Sequence, residues 1–404
     1  MVSITHVLIP GAALLATVLS IELLKRPALN LRLTDQPGHR KHHQGAIPLI
    51  GGIAMMAVFV LLLPWLHGPE NACLSLLPAL FVVTAVGALD DARDLSPRSR
   101  LIAQILAGAL MMALGGAMLD DLGNLLGTGT LSLGLFGIPF TLFCVVGVIN
   151  ALNMVDGMDG LAGGIALIAT GWLALLVWLA GQAQMLTLLS LLGAVIGGFL
   201  CFNLRHPWRQ RASVFMGDAG SMGLGFILAW LLISLSQGEA RTLSPITAVW
   251  ILALPLIDTV SIMIRRRCRG VSPFAADRQH LHHLFHRLGF SDGQTTALLL
   301  AIAGTLGAIG VAGQRWGIAE HWMHLAFWVL FIAYHLSMHR IWRKLEQPPQ
   351  ATPEPFRTLN SVTTISHAPS LVSRPRLAGL QYWMRHRVRR RKRALVDTGP
   401  TPGS

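Results

Sequence analysis

The sequence predicts an all-α polytopic membrane protein with about 10 or 11 transmembrane helices, and three observations support this prediction. Of its 404 residues, 53% are hydrophobic and only 13% are charged, whereas soluble globular proteins average about a quarter charged. The apolar residues gather in runs of about 20, the length that a helix needs to cross a bilayer. The lysines and arginines lie mostly between these runs, so lipid is the predicted surrounding of most of the chain.

Eleven segments are apolar enough and long enough to be predicted as spans, since backbone polar groups must be paired inside a bilayer. These segments lie near 5–24, 46–66, 72–89, 101–118, 134–152, 161–180, 184–203, 220–236, 246–264, 294–313 and 321–341. The first lacks a basic segment before it and is followed by Lys25 and Arg26. We therefore interpret it as a retained span and not as a cleaved signal peptide.

The basic residues predict the orientation of the spans. Loops that follow odd-numbered spans hold nearly all the lysines and arginines between spans, while the other loops hold only Arg241 and Arg315. Because positively charged loops remain in the cytoplasm, the N-terminus is predicted to lie outside and the C-terminus inside.

The composition changes after residue 345, which predicts an integral membrane domain of residues 1–345 and a basic tail of residues 346–404. The tail is rich in Pro, Ser, Thr and Arg and ends in a basic run from Arg385 to Arg393, so we expect a disordered cytoplasmic extension. Adhesion to anionic lipid is one interpretation, and a solvated extension without a catalytic role is the one that we favour. Binding of nucleic acid is not expected.

Carboxylates collect where spans meet the loops predicted to be cytoplasmic. They are Asp90, Asp91, Asp156, Asp159 and Asp218. Adjacent carboxylates repel, and desolvation at a membrane edge adds to the cost, so such a pair requires a nearby cation or proton. A Mg²⁺ ion would supply that charge. The equally acidic pair Asp120–Asp121 on the predicted outer side shows that a pair alone is not specific.

Two further segments have the composition of ligand sites. Asn150, Asn153, Asp156 and Asp159 recur at every third residue, so on a helix they would form one stripe, and neighbouring glycines would let a ligand approach. The segment from Ser213 to Ser221 contains Phe215, Gly217 and Asp218 and follows Asn203. Backbone N–H groups at such a turn would suit a diphosphate with its Mg²⁺.

Basic residues surround these carboxylates in two predicted cytoplasmic loops. The larger loop holds an arginine cluster from Arg265 to Arg269 and the histidines His280, His282, His283 and His286. Histidine ligands favour zinc or copper, but no cysteine or glutamate completes such a site, so we favour an anion clamp. A purely topological signal remains an alternative for the arginines. For Arg40, Lys41 and His43, two interpretations are equally favoured: a topological signal, or a site that binds a lipid phosphate.

At these residues the chain resembles the polyprenyl-phosphate N-acetylhexosamine-1-phosphate transferase family, over roughly residues 30–295. Five motifs occur in order: Asp-x-Pro-x-x-Arg-Lys-x-His with Pro-x-x-Gly-Gly, Asp-Asp with Asp-Leu-Ser-Pro, Asn-x-x-Asn-x-x-Asp-Gly-x-Asp-Gly, Met-Gly-Asp-x-Gly-Ser, and Arg-Gln-His-Leu-His-His. The histidine motif is similar to that of members using undecaprenyl phosphate and UDP-N-acetylglucosamine (UDP-GlcNAc). The segment Ile47-Pro-Leu-Ile-Gly-Gly52 argues against the muramoyl-pentapeptide branch.

The resemblance implies a reaction and a role for each motif. The enzyme would move GlcNAc 1-phosphate from UDP-GlcNAc to undecaprenyl phosphate at the cytoplasmic face of the bacterial inner membrane, beginning O-antigen or a related polysaccharide. Asp218 would bind Mg²⁺, or Mn²⁺ in its place, Asp90 would accept the lipid phosphate proton, and Asp91 would support either. The implied nucleotide-sugar pocket comprises Asn150, Asn153, Asp156, Asp159, Asn203, Phe215, Gly217, Arg265, His280, His282 and His283. The implied lipid-phosphate site comprises Arg40, Lys41 and His43.

Alternatives remain open at this stage. An ion-coupled transporter would use ionisable residues inside spans, where Glu22 and Asp258 are the acidic candidates. A membrane scaffold and a family member with another UDP-N-acetylhexosamine are further alternatives, and a homodimer is one option for the assembly. For the chemistry, we favour direct attack by the lipid phosphate over a covalent aspartyl-phosphate.

Overall fold

The computed structural model describes residues 4–31, 33–35, 46–66, 76–206, 209–239, 241–272 and 279–346. These residues fall within one compact unit, Met1–Gln347. The predicted lipid-phosphate residues Arg40, Lys41 and His43, and the basic tail, lie outside the described residues.

Helices make up most of the described structure, which has almost no sheet, and this confirms the all-α prediction. In chain order they are α1 Ile4–Asn30, α2 Gly51–Leu66, α3 Leu77–Arg93, α4 Pro97–Gly115, α5 Gly137–Val155, α6 Leu161–Leu179, α7 Ala183–Asn203, α8 Gly217–Ser236, α9 Pro245–Ile251, α10 Ala253–Cys268, α11 Leu281–Arg287, α12 Asp292–Arg315 and α13 Glu320–Glu346. Each of the eleven predicted spans corresponds to one of these helices, or to the pair α9 and α10.

Six of the described helices are long and apolar enough to cross a membrane individually, and the α9–α10 pair makes a seventh if it counts as one span. Helices α2 and α3 are shorter, with 16 and 17 residues. Helices α4 and α13 are long enough but contain arginines or histidines. The chain is therefore a multi-pass membrane protein.

The ninth predicted span is not one straight helix. It breaks between α9 and α10, whose axes differ by 81°. Pro255 lies in the first turn of α10, four residues after Ile251, the last residue of α9. A proline cannot donate a hydrogen bond to the residue four positions earlier, and its ring clashes with that carbonyl, so a continuous helix is disfavoured here.

Helix α8 lies at the centre of the bundle and packs against α2, α3, α5, α6 and α9. Nearly all of its residues are buried, as expected for a helix that is apolar around its circumference. Glycines permit the close contacts. A Cβ atom at Gly225 would lie 2.7 Å from Ile149 Cα on α5, and one at Gly87 on α3 would lie 2.6 Å from Ala219 Cα.

A two-stranded antiparallel ribbon is an addition to the predicted helices. Strand β1, Thr34–Asp35, pairs with β2, Ile47–Pro48. The Pro48 carbonyl accepts a hydrogen bond from Phe215 N at 2.9 Å, and Gly51 N donates to the Phe215 carbonyl at 3.0 Å. The ribbon therefore lies beside the start of α8.

At the opposite end of the bundle, polar side chains join the loops to one another. Gln237 Oε1 accepts hydrogen bonds from the N–H groups of Asp120 and Asp121 at 2.9 and 3.1 Å. Gln314 Nε2 donates to the Thr242 carbonyl at 2.8 Å, and Gln314 Oε1 accepts from Ser244 N at 3.0 Å. The pair Asp120–Asp121 is therefore part of a loop contact.

The close approach of α5 and α8 predicts sensitivity to a single methyl group. Gly225→Ala would place a Cβ atom against the Ile149 backbone and force the helices apart, at a cost of about 1–3 kcal/mol. We expect a lower unfolding midpoint for the detergent-purified variant, measured by scanning fluorimetry. Gly147→Ala on α5, where a Cβ would meet nothing within 4 Å, is the control and should unfold like the wild type. Equal midpoints for both variants would contradict the packing argument.

Candidate active site

Two carboxylates from different helices share one arginine at the end of the bundle where α3, α5 and α8 meet. The Arg100 guanidinium on α4 donates to Asp90 Oδ2 at 2.9 Å and lies 3.3 Å from Asp218 Oδ2. The Asp90 side chain is only 4% exposed, and its other oxygen accepts a hydrogen bond from Leu95 N at 2.6 Å. Burial of this charge requires a partner, and Arg100 provides it.

Asp218 is oriented from its other side by α5. Asn153 Nδ2 donates to Asp218 Oδ1 at 2.7 Å and lies 2.9 Å from Ser221 Oγ. The preceding residue, Gly217, has φ of +70°, a backbone conformation that favours glycine. The motif that contains Asp218 therefore depends on glycine to turn the chain into α8.

Asp91 caps the N-terminus of α8. Its oxygens accept hydrogen bonds from Asp218 N at 2.8 Å and Ala219 N at 3.2 Å, and a negative charge there is stabilised by the helix dipole. In this structure Asp91 accepts these two N–H groups, and the expectation that the turn binds a diphosphate with its Mg²⁺ stays a prediction. The support of a metal or a base by Asp91 also stays a prediction.

The Asn/Asp segment does not form one helical stripe as predicted. Helix α5 ends at Val155, and Asp156 has the non-helical angles φ −74° and ψ 47°. Asn150 instead donates to Gln104 Oε1 on α4 at 2.6 Å. Asp159 accepts from Arg205 Nε at 2.7 Å and Ala212 N at 3.0 Å. Asn150, Asn153 and Asp159 therefore have different partners.

Asp156 lies close enough to the other carboxylates for their charges to affect its pKa. Burial, followed by the charges of Asp218, Asp91 and Asp159, raises the pKa of Asp156 to about 8. We define Asp90, Asp91, Asp156 and Asp218 as the carboxylate cluster. It brings together residues from α3, α8 and the α5–α6 loop.

Asn203 and Phe215 shape the neighbouring loops. Asn203 is 5% exposed, its Oδ1 accepts from Gly160 N at 2.7 Å, and its Nδ2 donates to the Val214 carbonyl at 2.9 Å. Phe215 is joined through its backbone to the ribbon described above. Both residues therefore have internal backbone partners, and direct contact with a nucleotide sugar stays a prediction.

The described part of the histidine loop, residues 279–287, packs against the α5–α6 loop. The His280 and His282 rings stack at 5.5 Å with an interplanar angle of 12°. A Cβ atom at Gly157 would lie 3.3 Å from His282 Cε1, so this ring lies directly over the backbone between Asp156 and Asp159. Burial and the neighbouring His283 and His280 lower the pKa of His282 to about 3. A neutral ring favours hydrogen bonding over charge pairing.

Arg265, at the end of α10, supports the same loop. It is 2% exposed and donates to the Gln279 carbonyl at 3.0 Å. The ring of His283 lies 4.1 Å from that of His282. The structure therefore groups these predicted residues next to the Asn/Asp segment.

Sequence reasoning missed three contributors to this region. Arg100 and Arg205 were identified only as positive charges in loops, although each pairs with a predicted site carboxylate. Asp258 was considered only for a transporter, yet it contacts His280. The position of Arg100 in the first turn of α4, ten residues after Asp90, was an available signal for the first pair.

Comparisons with known proteins show similarity over the part of the chain that contains these residues. The sequence profile described as glycosyl transferase family 4 matches residues 73–236, the stretch that contains the carboxylate cluster. A Yersinia pestis protein named undecaprenyl-phosphate alpha-N-acetylglucosaminyl 1-phosphate transferase is 41% identical, over 79% of this chain and 87% of its own. Proteins of the same name from Haemophilus influenzae and Escherichia coli (strain K12) are each 39% identical, over 91% and 90% of their own lengths and 80% and 81% of this chain.

The chain belongs to glycosyl transferase family 4. This membership confirms the family resemblance that the five motifs indicated, and it makes the chain a membrane-embedded glycosyltransferase. The profile ends at residue 236, so the histidine loop and α13 lie beyond it.

Transferases of glycosyl transferase family 4 generally depend on a divalent metal ion. Among the described residues, no group of three or more His, Cys, Asp or Glu side chains has the geometry of a metal site. Mg²⁺, however, is often bound by one or two carboxylates, with water and substrate phosphate completing the shell. Burial is the main cause of the raised pKa of Asp156, but the charges of Asp218, Asp91 and Asp159 add to it, and this concentration of negative charge fits a cation at the cluster.

The shared arginine predicts a large effect of its removal. Arg100→Met keeps an apolar stem but leaves buried Asp90 without its ion pair, so we expect glycosyltransferase activity to fall about 100-fold. Arg98→Met, on the exposed side of the same turn of α4, is the matched control and should keep near-normal activity. Similar rates for both variants in a product-formation assay would contradict a special role for Arg100.

The raised pKa of Asp156 predicts a pH-dependent stability difference. The folded-state pKa is about 8 and the ordinary value 3.8, so the stabilising contribution of this group is complete below the lower value and is lost as pH rises to the higher one. In EDTA, the unfolding midpoint of Asp156→Asn relative to wild type should therefore increase between these values and level off above them. A difference that does not vary with pH would contradict the assignment.

Proposed function

We propose that this chain transfers GlcNAc 1-phosphate from UDP-GlcNAc to undecaprenyl phosphate, forming undecaprenyl-diphospho-GlcNAc and releasing UMP. One observation supports this most strongly: Asp90 and Asp218, from helices distant in the sequence, meet around Arg100. They do so in a chain about 40% identical to named transferases of this reaction over most of its length.

The reaction is a phosphoryl transfer between two anions. An oxygen of the lipid phosphate forms a bond to the β-phosphorus of UDP-GlcNAc, and the bond from that phosphorus to the UMP oxygen breaks, with its electron pair leaving on UMP. Alignment and neutralisation of charge are the main tasks of the protein in such a reaction. Asp90 is our candidate acceptor for a lipid-phosphate proton, and Arg100 offsets the negative charge around it.

The proposed metal is Mg²⁺, with Mn²⁺ as a substitute. Asp218 would hold it, supported by Asp91, and the bound ion would neutralise charge on the diphosphate oxygens. The carboxylate oxygens at this end of the bundle are the ligand type that Mg²⁺ prefers.

The nucleotide sugar is assigned to the side of the cluster covered by the histidine loop. His282 and Gly157 form the contact between this loop and the Asn/Asp segment, and Arg265 supports it. The lipid phosphate is assigned to the side of segment 36–45, which carries Arg40, Lys41 and His43. The described strands on either side of this segment, Thr34–Asp35 and Ile47–Pro48, form the ribbon beside α8.

The proposed location is the bacterial inner membrane, with the N-terminus in the periplasm and the active site in the cytoplasm. The cluster lies at the helix ends that the positive-inside rule assigns to the cytoplasm. The product would serve as the first membrane intermediate of O-antigen or a related envelope polysaccharide.

The deciding experiment supplies purified enzyme in detergent with undecaprenyl phosphate, Mg²⁺ and one labelled UDP-N-acetylhexosamine at a time. We expect label in the lipid product and release of UMP only with UDP-GlcNAc. Detergent abolishes any ion gradient, so this result could not come from a transporter. Label from another UDP-sugar alone would identify a different donor, and no label from any of them would contradict the proposed reaction.

The same assay tests the metal assignment. Asp218→Asn is expected to lower product formation by about 100-fold or more and to remove the response to Mg²⁺ concentration, because the amide lacks the charge that binds the ion. Asp120→Asn changes a carboxylate at the opposite end of the bundle and is the matched control. Near-normal turnover of the Asp218 variant would make the metal assignment wrong.

A further inference from the structure

A buried carboxylate outside the carboxylate cluster connects the histidine loop to the last helix. Asp258 on α10 is 5% exposed. Its Oδ2 lies 3.0 Å from His280 Nδ1, and its Oδ1 accepts a hydrogen bond from the Tyr334 hydroxyl of α13 at 2.7 Å. A charge buried in this way is costly unless well-placed donors compensate it, so both donors matter to its geometry.

The contact with Asp258 also indicates which ring nitrogen of His280 carries a proton. Because a carboxylate oxygen can only accept, His280 Nδ1 carries the proton in this contact, and the ring orientation is fixed with it. His280 stacks on His282, and His282 lies over Gly157. Tyr334 is thereby connected, through Asp258 and two rings, to the loop between Asp156 and Asp159.

The alternative is that Tyr334 only docks α13 onto the bundle. A second polar contact between the same two helices allows this to be tested, since Ser261 Oγ lies 3.1 Å from His335 Nδ1. Ser261 is buried on α10, like Asp258, but within the described residues its hydroxyl bonds to His335 and not to the histidine loop. It is therefore a matched reference for helix docking alone.

We propose that Asp258 and Tyr334 are positioning residues that hold His280, and through it His282, over the nucleotide-sugar side of the active site. The proposal rests on the transferase function above. It assigns a role to α13, which lies beyond the family profile. It predicts that loss of the Tyr334 hydroxyl selectively weakens the use of UDP-GlcNAc, although three successive contacts separate this hydroxyl from His282.

The test compares Tyr334→Phe, Asp258→Asn, their double variant and Ser261→Ala in steady-state kinetics. For Tyr334→Phe we expect KM for UDP-GlcNAc to rise about tenfold, with KM for undecaprenyl phosphate unchanged. Ser261→Ala should leave both values near those of wild type. Because the hydroxyl acts through Asp258, the double variant should be no worse than Asp258→Asn alone. Equal behaviour of Tyr334→Phe and Ser261→Ala, or additive effects in the double variant, would overturn the proposal.

A measurement independent of activity separates this proposal from the proposed function. Reaction of His280 with diethyl pyrocarbonate, followed by peptide mass spectrometry, reports whether the ring is held in its buried position. We expect faster modification of His280 in Tyr334→Phe than in wild type or Ser261→Ala. If the wild type makes lipid-linked GlcNAc but His280 is modified at the same rate in Tyr334→Phe as in wild type, only the positioning role is overturned. An inactive wild type with a Tyr334-dependent change in protection would overturn the reaction but not the positioning.

Discussion

The shared ion pair of Arg100 with Asp90 and Asp218 is the interaction on which the site depends. A guanidinium is permanently charged and presents several donors in a rigid plane, so it can hold two carboxylates that would otherwise repel. Its contacts join α4 to α3 and to α8. Asn153 adds α5 to the same group. Electrostatic attraction and the close packing of α8 therefore act together in bringing four helix ends to one place.

The helices could be predicted from the sequence because a bilayer requires long apolar runs with internally paired backbones. Hydropathy does not distinguish a helix that faces protein from one that faces lipid, so the central position of α8 could not be predicted. Pro255 is evident in the sequence, but the bend before it could not be predicted, since prolines inside membrane helices are often tolerated. The ribbon was missed because its strands have only two residues each.

Within the site, the sequence indicated which carboxylates gather but not what each one contacts. That Asp90, Asp156 and Asp218 lie together could be predicted because the positive-inside rule assigns all three to the same side of the membrane. Partners depend on three-dimensional packing: Arg100 and Asp218 are 118 residues apart in the chain, and Asp159 and Arg205 are 46 apart. The spacing of the Asn/Asp segment suggested one helical face, whereas Gly157 and Gly160 lie where the helix has already ended.

The nearly complete burial of α8 has a consequence for how the protein assembles in the membrane. A translocating machinery recognises this segment by its hydrophobicity and can release it into lipid, but its final neighbours include α9, which is made later. As the bundle assembles, the contacts of its glycine-lined surface with lipid chains would be replaced by contacts with the backbones of neighbouring helices. Mutations that delay this exchange would lower the yield of assembled enzyme without altering any residue that meets a substrate.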